Sequence, residues 1–189
     1  MRARGSRVTY NRMRIAPRML VPLLCLAAAA CGHGGTATSA GTVASVECAP
    51  FARALTGVAL SGSAAEWWSQ AAGRYQRSHR PAVGSLLVFR RSSRLPEGHV
   101  AVVSRIVGRR QIMVTQANWV RHRVNVDQPV LDVSAEGDWS RVQVWWPPSG
   151  QMGVTAYPVL GFIHPTQPPD HDQILAATPG AIRIAAGAD

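Results

Sequence analysis

Apolar residues follow two rhythms along this chain. From Val46 to Leu55 the pattern is helical, with Ala49, Ala52 and Ala54 as good helix formers and Gly57 as a stop. Pro50 fits only in a helix's first turn, which places Cys48 at or beside the helix N-terminus. A second helix is expected from Ser63 to Gly73, opened by the capping-box pattern Ser63-Ala-Ala-Glu66. Its Trp67 and Trp68 are expected to serve as core and groove wall. After Pro81 short β-rich runs take over: Ser85 to Phe89, Gly98 to Val107, Gln111 to Thr115 and Val142 to Trp146, with Val124 to Val133 as a looser fifth. Helices followed by a run of antiparallel strands predict an α+β fold, with N-terminal helices packed on an antiparallel β-sheet.

The two ends of the chain break this pattern. An Arg-rich start ends at Arg18 and is followed by twelve apolar residues, Met19 to Ala30. That is too short for a permanent bilayer helix, and Ala28-Ala29-Ala30 suits cleavage, so residues 1–30 are expected to be a signal peptide. Cys31-Gly32 leaves a lipoprotein reading open beside plain cleavage, although Ala28 stands where a lipoprotein signal usually has Leu. Export to the periplasm or cell envelope follows on either reading. Residues 31–45, rich in Gly, Ala, Ser and Thr, are expected to be a flexible tether. The compact domain is expected over 46–164. The Pro- and Asp-rich stretch 165–189 is expected to be a disordered tail.

Charge changes the picture little. The formal charge of +10 comes from twenty basic residues, all Arg, but six of them lie in the first eighteen positions. From Cys31 onward fourteen Arg face ten acids, and no basic run interleaves with aromatics, so a nucleic-acid partner is not expected. Cysteine usage says more. Cys25 leaves with the leader and Cys31 lies in the tether, so Cys48 is the one cysteine of the expected domain. An odd cysteine in an oxidising compartment calls for an explanation. A Cys31–Cys48 disulfide is the plainer one, and a reactive thiol is the other.

A thiolate at a helix N-terminus gains from the helix's partial positive charge, and the free N–H groups there can hold an oxyanion. Such a nucleophile needs an imidazole. Of the histidines, His99 follows Gly98 and opens the apolar run Val100-Ala-Val-Val103, which mounts its ring on a rigid strand end. The group that orients the ring is sought on the next strand, where Gln116 and Asn118 share a face. Asn118 is preferred because Trp119 after it could shield the bond from water. The lesser alternative for Asn118 is a turn residue closing the hairpin.

Glu47-Cys48-Ala-Pro-Phe-Ala-Arg53, Pro81-Ala-Val-Gly-Ser-Leu-Leu-Val-Phe89, Gly98-His-Val-Ala-Val-Val103 and Gln116-Ala-Asn118, in this order, resemble a CHAP domain, the cysteine, histidine-dependent amidohydrolases and peptidases. The resemblance implies a papain-like α+β fold and cleavage of peptidoglycan amide bonds through Cys48, His99 and Asn118. It implies no metal or other cofactor. The chain departs from the family in two places: Ser85 stands where Asp is frequent, and Gln116 where many members carry Glu. No membrane contact is expected beyond a lipid on Cys31 in the case of the lipoprotein reading, and the protein is expected to be a monomer. The alternative is a catalytically silent envelope-binding module of the same fold, with Trp119, Trp139, Trp145 and Trp146 lining a glycan- or peptide-binding face. Asp170-His171-Asp172, the only compact ligand-like cluster, lacks the spacing of a metal site.

Overall fold

The computed structural model describes residues 45–187, so the expected leader and all but the last residue of the tether lie outside the described residues. The described chain opens with α1, Cys48–Thr56, which buries Phe51, Ala52 and Leu55 and ends at Gly57. Gly57 is left-handed (φ 68°) and its N–H donates to the Arg53 carbonyl, the glycine stop that the pattern predicts. A short 3₁₀ turn, Ala64–Glu66, runs into α2, Trp67–Gln70. The expected capping box does not form, because Ser63 Oγ and Glu66 Oε1 both accept from Arg91 instead. The helix expected from Ser63 to Gly73 is accordingly a brief double turn. Trp67 is fully buried beneath it.

Eight strands follow: β1 Gln76–Ser78, β2 Leu86–Phe89, β3 His99–Gly108, β4 Gln111–Ala117, β5 Val124–Asp132, β6 Arg141–Trp146, β7 Gln151–Met152 and β8 Tyr157–His164. All pairings are antiparallel. The strand order is β1-β8-β2-β3-β4-β5-β6-β7, and β8 also pairs with β6. That extra pairing closes β2-β3-β4-β5-β6-β8 into a six-stranded barrel, with β1 and β7 as short additions.

Alternation along the strands then serves two cores. Leu87, Phe89, Ala101, Val103, Ile112, Val114, Val142 and Phe162 point into the barrel around Trp139. Leu86, Val88, Val100, Val102 and Ile163 point outward and are covered by Phe51, Ala52, Leu55 and Trp67 from the helices. Because both faces of β2 are buried, Leu86 to Phe89 read as an unbroken apolar run. The five strands expected from the sequence are present. β1, β7 and β8 were not anticipated.

The expectation of a disordered tail over 165–189 is corrected. Asp170 caps α3, His171–Ala185, in a capping box with Gln173, and Ile174, Thr178, Ala181 and Ala185 form one buried face. That face joins the same core as α1. Pro168 and Pro169 cross over Gly84 so closely that a Cβ there would lie 2.5 Å from the Pro169 carbonyl oxygen. Pro179 lies inside α3 and breaks its pattern to the eye, yet packing and capping outweigh the lost backbone bond.

Candidate active site

Cys48 is the first residue of α1 and is half-buried. The first N–H groups of a helix have no intrahelical acceptor. Pro50 carries none, and Phe51 N–H already donates to the Glu47 carbonyl at 3.2 Å. The backbone donors left at this end are those of Cys48 and Ala49, directly beside the thiol.

His99 is the first residue of β3 and is buried, with 4% exposure. Gly98 before it adopts φ 70°, and a Cβ there would sit 2.7 Å from both the Phe89 carbonyl oxygen and Ala65 Cβ. The strand can therefore start at this point, tight against the 3₁₀ turn, only if the residue before the histidine has no side chain. Ala65 N–H donates to the Glu97 carbonyl at 3.1 Å and ties the two segments together. The imidazole is held edge-on by Phe89 at 5.5 Å and Trp119 at 5.2 Å between ring centres.

The thiol and the imidazole lie close enough to perturb each other's ionisation. Burial by itself pushes the Cys48 thiol up, but the charge and hydrogen bond of His99, together with the Val100 N–H, outweigh it and hold the thiol below its ordinary value. Burial likewise pushes His99 down, but the Cys48 charge and hydrogen bond, the Gln116 amide and the Glu47 carboxylate outweigh it and raise the imidazole. The two groups stabilise each other's charged forms, so each shifts its partner towards the thiolate–imidazolium pair.

The structure brings Gln116, not Asn118, to the histidine. His99 Nε2 lies 2.8 Å from Gln116 Oε1, and Gln116 is 1% exposed. Asn118 is occupied elsewhere: its Nδ2 donates to Glu47 Oε2 at 2.8 Å, and its Oδ1 accepts from His122 N–H at 2.9 Å. It adopts φ 60° and closes the β4–β5 turn, its own N–H donating to the Arg123 carbonyl. The preference for Asn118 as the orienting group is thus corrected, and the turn alternative describes it. The physical reason is local. A left-handed residue leaves the strand, so its side chain no longer shares the face that Gln116 keeps. Asn118 still touches the site, because it clamps Glu47 beside the nucleophile.

Sequence reasoning missed Gln128 altogether. Its Oε1 accepts from Gln116 Nε2, and its own Nε2 donates to the Trp145 carbonyl at 2.7 Å. Gln128 pairs with Val114 at the last regular position of the β4–β5 ladder; beyond it a bulge shifts the register, Gln116 faces Asn125, and Val126 and Asp127 together oppose Thr115. Strict alternation does not reveal such a shift.

Two cavities of about 330 and 350 Å³ share Arg94, Trp119, Trp146 and Tyr157, so they form one cleft. Its inner end reaches His99 and Asn118, and its outer end reaches Gly153 to Thr155. Of the tryptophans expected on a binding face, Trp119 and Trp146 line this cleft, while Trp139 is buried in the barrel with 3% exposure. Arg94 has no carboxylate partner among the described residues, whereas nearby Arg91 is paired with Glu66 and Glu97. In the Asp170-His171-Asp172 cluster, Asp170 caps α3 and His171 bonds Asp127 at 2.9 Å.

The sequence model of the CHAP domain matches residues 38–118, a span that includes Cys48, His99, Gln116 and Asn118. No curated protein matches the chain.

Proposed function

We propose, from the match of the CHAP domain model to residues 38–118 and from the site beside it, that the chain is an exported cysteine amidohydrolase or endopeptidase of peptidoglycan, papain-like in plan. Cys48 is the nucleophile, His99 its base and Gln116 the group that orients the ring. The observation that carries this reading is the pairing of a half-buried thiol at a helix start with a buried imidazole, each favouring the other's charge.

The residues supply each step of amide cleavage. Cys48 Sγ attacks the carbonyl carbon, and the new oxyanion meets the N–H groups of Cys48 and Ala49 at the start of α1. With Nε2 bonded to Gln116, the other ring nitrogen, Nδ1, is the one left to serve the sulfur. Its proton passes to the leaving amine, so the C–N bond breaks and a thioester remains. The same nitrogen then takes a proton from water, which attacks the thioester and frees the acid and the thiolate. Gln116 holds the ring but adds no charge, so the imidazolium lacks the carboxylate that many family members provide.

The cleft supports a substrate with a flat or apolar portion against Trp119, Trp146 and Tyr157 and an anionic group near Arg94. A peptidoglycan stem peptide beside its sugar has both. On this reading the protein is exported to the periplasm or cell envelope, where a lipid on Cys31 would tether it if the lipoprotein alternative holds. The competing reading is a binding module of the same fold without turnover, which the uncharged Gln116 favours. Digestion of purified peptidoglycan followed by mass spectrometry of the soluble fragments decides between them. New amine and carboxyl ends that disappear with Cys48→Ala support the enzyme, and wall binding with no cleavage by the parent protein overturns it.

A further inference from the structure

Behind the catalytic pair runs a line of buried amides of which the mechanism above uses only the first. Gln116 on β4 is 1% exposed and Gln128 on β5 is 3% exposed. The line ends on the Trp145 carbonyl of β6, 2.7 Å from Gln128 Nε2. A backbone carbonyl can only accept, so Gln128 must turn its NH₂ to Trp145 and its oxygen to Gln116. Gln116 must then turn its own NH₂ to Gln128 and its oxygen to His99 Nε2. An amide oxygen also only accepts, so the ring proton sits on Nε2 and Nδ1 is left to the sulfur.

From this polarity we propose that Gln128 is a positioning residue, fixing the His99 tautomer through Gln116. The inference rests on the Cys48–His99 reading of the site. Without Gln128, the Gln116 amide is free to turn over. Its NH₂ then faces the ring, which puts the neutral proton on Nδ1, towards the thiol, and opposes the imidazolium. The charged groups around the ring are Cys48 and Glu47 from the start of α1, with Arg94 in the same cleft. Asp127, the nearest acid on β5 in sequence, is engaged by Ser104 and His171.

The test is the alkylation rate of Cys48 by iodoacetamide against pH, followed at that residue by peptide mass spectrometry in the full chain. Gln128→Met keeps the volume and removes both hydrogen bonds. It is expected to slow labelling near pH 6 about tenfold, as Gln116→Met does, with the labelling midpoint moved upward. The double variant is expected to be no slower than Gln116→Met, because Gln128 acts through Gln116. Gln128→Glu, whose oxygen can still accept from Gln116, is expected to label within a few-fold of the parent, a rescue that a merely space-filling role would not give. A Gln128→Met profile equal to the parent's, or a double variant slowed by the product of the single effects, overturns the relay alone. If the parent's Cys48 titrates as an ordinary thiol, the catalytic pair fails and the relay with it.

Discussion

Cys48 and His99 sit fifty-one positions apart in the chain, yet each is placed by its own neighbours: Pro50 limits the helix start, and Gly98 limits the strand start. Cys48→Ala and His99→Ala are each expected to abolish clearing of peptidoglycan in a gel overlay. Asn118→Ala is expected only to reduce it, because Asn118 holds Glu47 and the turn rather than the ring. The pH dependence follows from the shifts. A thiol held low is already ionised below its usual value of about 8.5, so the acid limb of kcat/KM lies below that pH. An imidazole held high keeps its proton above about 6.5, so activity falls only once pH rises through that raised value. A bell between these limbs is the expected profile. A single rise centred at the ordinary thiol value would refute the ion pair. Gly98→Ala forces a left-handed alanine into backbone contact, and is expected to cost about 2 kcal/mol in thermal unfolding and to displace His99.

At the scale of elements, what could be read depended on how local the cause was. The stop of α1 at Gly57 and the positions of β2 to β6 follow from residue types and alternation within each segment. The second helix fell short of its pattern because Arg91, twenty-five residues beyond Glu66, takes both capping side chains. The helix α3 is hard to read in the sequence because Pro165, Pro168, Pro169 and Pro179 dominate the local pattern, while the apolar face of Ile174, Ala181 and Ala185 gains stability only from distant segments, chiefly α1 and also β3. Ile174→Ala, at a fully buried position, is therefore expected to cost about 2–4 kcal/mol in denaturant unfolding. Because α3 and α1 share one core, the same change is expected to loosen the helix that carries Cys48 and to lower activity along with stability. Normal stability in that variant would mean that the tail contributes nothing to the core.

Over the whole molecule, the barrel brings β4, β5 and β6 side by side behind His99 and opens a cleft in front of it. Trp146 is 40% exposed at the cleft and Arg94 is free of carboxylates among the described residues, so both are placed to meet substrate rather than to hold the fold. Trp146→Ala and Arg94→Gln are each expected to raise KM several-fold on soluble peptidoglycan fragments, with kcat and melting temperature nearly unchanged. A fall in kcat at constant KM would place these residues elsewhere in the reaction. The sequence by itself determined the α+β class, the helix that begins at Cys48, the strand that begins at His99 and the family resemblance, because each follows from short-range sterics, capping and alternation. Only the tertiary structure decided that Gln116 rather than Asn118 meets the imidazole, that Gln128 and Trp145 stand behind it, that β8 closes the barrel, and that the tail is a docked helix. These depend on a turn's handedness, a bulge and pairings between distant segments, which the order of residue types along the chain does not encode locally.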